Sequence, residues 1–310
     1  MLKKLFQSFR SPLRRAAHKR STPEVLNSNQ HPLRRGEISR YALSVVDRLQ
    51  QAGYQAYLVG GCVRDLLLNL EPKDFDVATS ATPEQVRAEF RNARVIGRRF
   101  KLVHVHFGRE IIEVATFRAN HPQGDEDEDS NLSSRNESGR ILRDNVYGSL
   151  EDDAQRRDFT INALYLDASC ERILDYANGV HDIRNRLVRL IGDPEKRYQE
   201  DPVRMLRAVR FAAKLDFDIE KHSAAPIPRL ARLLHEIPSA RLFDEVLKLF
   251  LAGNAEHTFE LLLEYNLFAP LFPAAAAALK RDPEYAGELI RLALASTDRR
   301  IEQGKTVTPA

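Results

Sequence analysis

From Asp201 onward the chain carries helical periodicity almost without a break, while the residues before it alternate short β-rich runs with short helices. Residues 202–215, 227–234, 240–251, 255–265 and 284–297 repeat apolar side chains at three- and four-residue spacing, with Pro and Gly between the segments. A sheet and a long helical tract each need their own buried face, so this change of period predicts a mixed α/β head followed by an all-helical part. No repeat at solenoid periods competes with that reading.

Within the head, residues 38–51 have helical spacing and end at Gly53. Residues 54–59 read as a strand leading into Gly60-Gly61, followed by a helix over 63–70. A second strand is expected over 73–77, and a helix over 82–90 opened by Thr82-Pro83. Residues 94–96, 102–107 and 110–117 read as further strands, with turns at Gly97 and Gly108. Residues 121–140, rich in Asp, Glu, Asn, Ser and Gly, cannot bury a core and read as a mobile acidic loop. Structure is expected to resume at 152–167.

The sharpest chemical feature is Lys73-Asp74-Phe75-Asp76-Val77. In a strand, residues two apart share a face, so Asp74 and Asp76 would present two carboxylates while Phe75 and Val77 face the core. Paired hard oxygen ligands suit Mg²⁺, and two such ions activate a hydroxyl and neutralise a leaving pyrophosphate. On its own an Asp-x-Asp pattern is more often a surface strand. Gly60-Gly61 strengthens the functional reading, because small residues between a strand and a helix let backbone N–H groups approach a triphosphate. Arg64 would then add charge to the phosphates, or else pair locally with Asp65. Glu113, in the apolar run Ile111-Ile112-Glu113-Val114-Ala115, is expensive to bury unless paired or metal-bound. It is a candidate third carboxylate, with an ion pair to Arg118 as the plainer alternative. His104 and His106 alternate in one strand and read as packing rather than metal ligands.

Several ordered blocks carry a family resemblance. Leu58-Val59-Gly60-Gly61-Cys62-Val63-Arg64-Asp65 followed by Asp74-Phe75-Asp76 resembles the head signature of class II nucleotidyltransferases, the family of bacterial poly(A) polymerases and tRNA CCA-adding enzymes. Arg156-Arg157-Asp158 is similar to the family's arginine-arginine-aspartate motif, and Glu200-Asp201-Pro202-Val203-Arg204 to its nucleotide-recognition helix. The resemblance implies an α/β nucleotidyltransferase head with a mixed β-sheet, followed by all-α neck and body domains. It adds Asp158 to the catalytic candidates Asp74, Asp76 and Glu113, with Mg²⁺ expected on Asp74 and Asp76. Beside the nucleotide-binding candidates Gly60, Gly61 and Arg64, it implies nucleotide recognition by Asp201 and Arg204, with Arg207 and Arg210 next on the same helix. Asp201 and Arg204 lie three apart on one helix face, where a carboxylate accepts from an adenine amino group and a guanidinium donates to its ring nitrogen. Cytosine offers a similar edge, so ATP and CTP would be accepted and UTP and GTP rejected. Arg207 and Arg210 continue the register toward phosphates or an ion-paired face, and Leu206 and Val209 are core.

The segment Val95-Ile96-Gly97-Arg98-Arg99-Phe100-Lys101-Leu102-Val103-His104-Val105 resembles the poly(A) polymerase branch, as does Leu142-Arg143-Asp144-Asn145-Val146-Tyr147-Gly148-Ser149. The expected activity is template-independent transfer of AMP from ATP to RNA 3′ ends, with tRNA CCA addition from CTP and ATP as the alternative. The expected division is a flexible basic extension over 1–36, the head over 37–180, a helical neck over 181–252 and a short helical body over 253–310. Poly(A) polymerases of this kind usually carry a longer body and a basic tail. With the sequence ending at Ala310, weaker primer binding and a shallower salt dependence are expected. RNA-decay and RNA-chaperone proteins are candidate partners.

Composition narrows the setting. Two cysteines, Cys62 and Cys170, are too few for a disulfide framework and fit no zinc spacing, so a reducing, cytoplasmic compartment is expected. No apolar run approaches the roughly 20 residues of a membrane span. The basic N-terminus, with Leu2, Leu5, Phe6 and Phe9 at helical spacing, reads as a disordered tail or as an arm for RNA or a membrane surface, and an organelle transit peptide would look similar.

Overall fold

The computed structural model describes residues 22–97, 101–119, 133–135, 141–144 and 146–308. The basic arm over 1–20, the acidic run at 125–129 and Arg98-Arg99-Phe100 lie outside the described residues.

The head is an eight-stranded mixed sheet. Its strands are β1 (Glu24–Leu26), β2 (Ala56–Val59), β3 (Asp76–Thr79), β4 (Ala93–Ile96), β5 (Leu102–Phe107), β6 (Glu110–Thr116), β9 (Leu164–Asp167) and β10 (Arg172–Asp175), in the order β1-β10-β9-β2-β3-β6-β5-β4. A separate hairpin pairs β7 (Ser133–Arg135) with β8 (Ile141–Asp144). Residues 133–135 therefore form a strand inside the stretch expected to be a loop. The pairing is made by the backbone, so the polar run Ser133-Ser134-Arg135 carries no hydrophobic pattern that could announce it.

One sheet face is packed by α1 (Arg40–Gln51), α2 (Gly61–Leu67) and α3 (Pro83–Glu89). Ala42, Val45, Val46 and Leu49 make the buried stripe of α1 at helical spacing. Ser39 caps its N-terminus, accepting from the Tyr41 N–H. In α3, Thr82 and Gln85 form a reciprocal capping box and Pro83 occupies the first turn. The opposite face meets α4 (Leu150–Arg156), whose Leu150 and Ala154 join Val59, Ala78, Phe117 and Tyr165 in a smaller apolar cluster. Asp76 and Glu113 lie on this second face, with Ala78.

The sheet begins further upstream than expected. Within the expected flexible extension over 1–36, β1 pairs antiparallel with β10, and Leu26 and Leu33 are buried. A three-residue edge strand is too short for periodicity to reveal. It is specified by pairing with a partner some 150 residues downstream, Leu26 opposite Ile173.

After α5 (Gly179–Arg184) and β11 (Leu187–Val188), the chain is helical apart from β12 (Asp218–Ile219), which pairs with β11. The helices are α6 (Pro194–Glu200), α7 (Val203–Leu215), α8 (Lys221–Ala224), α9 (Ile227–Leu230), α10 (Ser239–Phe250), α11 (Ala255–Glu264), α12 (Phe268–Leu271), α13 (Pro273–Arg281) and α14 (Pro283–Glu302). The central helix is α7. Its Met205, Leu206, Ala208, Val209 and Ala212 are fully buried, and Phe211 meets Phe159 of the head edge-on at 5.6 Å. One continuous apolar core thus runs from the sheet through α7 to α11, and it fixes the helical part against the head. Among the described residues, no helix is long and apolar enough to cross a membrane.

Candidate active site

The carboxylates are organised by strand register. In the parallel β3–β6 pair, Asp76 lies opposite Glu113 and Val77 opposite Val114. Both valines are buried in the main core, so alternation turns Asp76 and Glu113 to the other face. Phe75 packs against the core as expected. The strand begins at Asp76 rather than at residue 73, which leaves Asp74 exposed on the segment entering β3. Burial pushes the Asp76 carboxyl up to about 6, and the neighbouring charges of Glu113 and Asp74 push the same way, with Arg157 opposing them. Three carboxylates here carry more negative charge than nearby cations offset.

Glu113 is not buried. Its side chain is 48% exposed and accepts from His104 Nε2 at 3.2 Å. Its cost is met by position on the open sheet face and by a histidine, neither of which the apolar run of sequence suggests.

The glycine turn has the predicted place. Gly60 caps α2 with φ +79° and ψ −126°, a conformation that favours glycine. A Cβ there would stand 3.5 Å from Arg157 Nη1. Arg64, one turn on, is turned inward and only 3% exposed. Its Nε donates to Asp65 Oδ1 at 2.8 Å and its Nη1 to Asn162 Oδ1 at 2.6 Å, while the guanidinium lies 5.2 Å from the Phe211 ring. This is the local pairing weighed against phosphate contact, extended to a tie between head and α7.

Asn162 in turn donates to Asp158 Oδ1 at 3.3 Å. Asp158 also accepts from the Phe159 N–H at 2.8 Å and from Arg207 Nε at 2.7 Å. Burial disfavours its charge, but Arg207 and these hydrogen bonds hold its pKa down at about 2. Asp158 is therefore a fixed anion, unlike Asp76. Arg157 is held beside it by Asp153 at 3.0 Å and by the Tyr165 hydroxyl at 2.9 Å.

Asp158, Asp201, Arg204 and Arg207 line one cleft of about 380 Å³, walled on the sheet side by Leu102 and Ala115. Ala115 lies two residues beyond Glu113 on β6 and shares its face, so the carboxylate edge and the cleft adjoin along one strand. Asp201 is not itself helical. It closes α6 and precedes α7, with its Oδ2 accepting from Arg241 Nη2 at 2.7 Å. The Arg204 N–H donates to the Asp201 carbonyl at 3.0 Å, which keeps the two on one turn. Arg204 Nη1 donates to the Arg197 carbonyl at 2.6 Å and to Glu200 Oε2 at 3.2 Å. Arg210 does not line the cleft. It stacks 4.8 Å from Phe211, and burial, together with Arg207, draws its pKa down.

Arg241 and Glu245 of α10 also line the cleft and were not anticipated. A signal existed, because Glu245 sits four residues before buried Leu249 on the inward stripe, where an acid is costly. Asp74, Asp76 and Glu113 offer hard oxygen donors of the kind Mg²⁺ takes, and the raised pKa of Asp76 marks a place where a cation would relieve repulsion. Among the described residues, no group of three or more His, Cys, Asp or Glu forms a ready metal cage. A magnesium ion commonly completes its shell with water and substrate phosphates instead.

Comparison with known proteins fits this geometry. Residues 56–189 match the family described as "Poly A polymerase head domain", and residues 216–279 match "Probable RNA and SrmB- binding site of polymerase A". The chain is 55% identical to poly(A) polymerase I of Salmonella typhimurium over 287 residues, which span 92% of this chain and 61% of that protein. It is 38% identical to the CCA-adding enzyme of Lactobacillus helveticus over 226 residues, 73% of this chain and 53% of that enzyme. The crystal structure of the Bacillus stearothermophilus CCA-adding enzyme in complex with CTP superposes with a TM-score of 0.62 at 29% identity, covering 86% of this chain and 78% of that one. The chain thus spans about three fifths of the length of the poly(A) polymerase it matches.

Proposed function

We propose, from the premise that this chain belongs to the nucleotidyltransferase family of poly(A) polymerases and CCA-adding enzymes, that it transfers AMP from ATP to RNA 3′-hydroxyls and releases pyrophosphate. The observation that carries the chemistry is the register of Asp76 opposite Glu113, beside a cleft that holds Asp158, Asp201, Arg204 and Arg207. The higher identity to poly(A) polymerase I than to the CCA-adding enzyme favours AMP alone as the unit added.

Asp74 and Asp76 are the residues that would hold Mg²⁺, which supplies charge neutralisation for the triphosphate and activation of the attacking hydroxyl. Glu113 stands beside them and adds negative field toward the same ion. Gly60 and Gly61 leave room for phosphate oxygens against the backbone. Arg64 serves that turn indirectly, by tying α2 to Asn162 and hence to Asp158. Asp158, kept ionised by Arg207, accepts from a ribose hydroxyl and orients the sugar. Asp201 and Arg204 read the base edge, with Arg241 steadying the carboxylate and Glu200 steadying the guanidinium. Arg207 and Arg210 lend positive field to the nucleotide side of α7. Most of the rate enhancement comes from this positioning and charge complementarity, as in phosphoryl transfer generally. The two free cysteines, Cys62 and Cys170, suit a reducing cytoplasm. RNA-decay and RNA-chaperone proteins are proposed partners.

Primer extension with one nucleotide at a time tests the reading. Long ladders on unstructured RNA with ATP alone are expected. Addition confined to tRNA lacking its terminal CCA, requiring CTP before ATP and stopping after three residues, would replace it with CCA addition.

A further inference from the structure

Strand register extends the carboxylate pair into a row. Asp76 of β3 lies opposite Glu113 of β6, Glu113 lies opposite His104 of β5, and His104 lies opposite Arg94 of β4. Residues in register across a sheet point to one face, and here that face is the one bearing the cleft. The flanking residues Val77, Val114, Val103 and Val105 are buried on the other side, so the row cannot rotate without inverting the strand pattern.

Within the row His104 Nε2 stands 3.2 Å from Glu113 Oε1. An ionised carboxylate only accepts hydrogen bonds, so Nε2 must carry the proton in this contact. The His104 side chain is 21% exposed against 48% for Glu113, so the donor is the more fixed partner. The His106 ring packs edge-on at 6.1 Å and limits the rotamers open to His104. A carboxylate on an open sheet face with no donor would sample several rotamers and would also be free to swing away from Asp76.

We propose that His104 is a positioning residue for this nucleotidyltransferase, donating from Nε2 to Glu113 and holding its second oxygen toward the Asp74–Asp76 pair. The inference rests on the reading that Glu113 belongs to the catalytic carboxylates. It also assigns a task to the 95–105 segment that resembles the poly(A) polymerase branch in sequence, since among its described residues His104 touches the carboxylate row.

The test is steady-state AMP incorporation with saturating RNA, giving kcat and KM for ATP separately. The variants are His104→Ala, His104→Gln, His104→Asn, Glu113→Gln and the His104→Ala/Glu113→Gln double. Loss of a hydrogen bond to a charged group predicts a fall in kcat of about ten-fold for His104→Ala, with KM for ATP within two-fold. Gln places an amide N–H near the former Nε2 and is expected to restore most of kcat, whereas the shorter Asn is not. In the Glu113→Gln background, His104→Ala is expected to add no further loss. If Glu113→Gln lowers kcat but His104→Ala does not, or if their effects simply multiply, the positioning role of His104 is wrong and the carboxylate reading survives. If Glu113→Gln leaves kcat unchanged, the reading of Glu113 itself fails. Should His104→Ala prove unstable to heat, the Gln–Asn comparison decides, because both fill the site and only Gln reaches.

Discussion

Replacing Asp76 by Asn is expected to stabilise the fold while abolishing activity, and the size of the effect follows from its surroundings. The usual aspartate value of 3.8 rises to about 6 at this position, because burial and the charges of Glu113 and Asp74 disfavour ionisation. A rise of that size corresponds to at most about 3 kcal/mol of destabilisation once the group is charged in both folded and unfolded states. The sign follows from the direction of the shift. Below the unfolded value the carboxyl is protonated in both states and costs nothing. As pH climbs from about 4 to about 6 the unfolded chain ionises first, and folded stability falls. Screening of the partly exposed carboxylates leaves roughly 1–3 kcal/mol at pH 8. Urea denaturation in EDTA at pH 8 should therefore show Asp76→Asn more stable than the parent by that margin, with the gap closing near pH 4. Adding Mg²⁺ should stabilise the parent and leave the variant little changed. A variant of equal or lower stability at pH 8 would refute the argument that burial and neighbouring charge destabilise the Asp76 carboxylate.

Two further outcomes follow from the cleft. Arg207→Met should cost about 3–5 kcal/mol in denaturant unfolding, because it leaves the Asp158 carboxylate buried without its partner. The contribution of Asp158 itself is present above pH 3.8 and lost as pH falls toward about 2, so its share of acid unfolding should appear in that window and move upward in Arg207→Met. Asp201→Asn should narrow the ATP-over-UTP ratio of kcat/KM by about ten-fold or more, since an amide can also present an N–H to a uracil carbonyl. An unchanged ratio would remove Asp201 from base reading.

The parts of the molecule legible in sequence were those specified locally. The helical stripe of α1, the Thr82–Gln85 capping box and the Gly60 turn follow from spacing or from backbone conformation, and each formed where those rules put it. Leu206 and Val209 are core because the 3.6-residue period of α7 leaves them no other side. What escaped depends on distant partners. The edge strand β1 exists through β10, and the placement of Glu113 on an open face depends on which side of the sheet α4 covers. Arg64 shows the same limit. Its residue type and position suit a phosphate, but whether it turns out or in is decided by Asn162, far away in the chain. The Asp158–Arg207 and Asp201–Arg241 pairs likewise join residues about 40–50 positions apart, so no spacing rule reaches them.

The central claim is that the Asp74–Asp76 edge is where nucleotidyl transfer occurs. It is tested most directly by following AMP incorporation from labelled ATP into an RNA primer with Mg²⁺ for the parent, Asp74→Ala and Asp76→Ala, alongside thermal unfolding of each. The account predicts incorporation lower by about a hundred- to a thousand-fold or more in both variants, on the order of the loss of a principal charge-stabilising group, with melting temperatures no lower than that of the parent. Near-parental incorporation by either well-folded variant would contradict it.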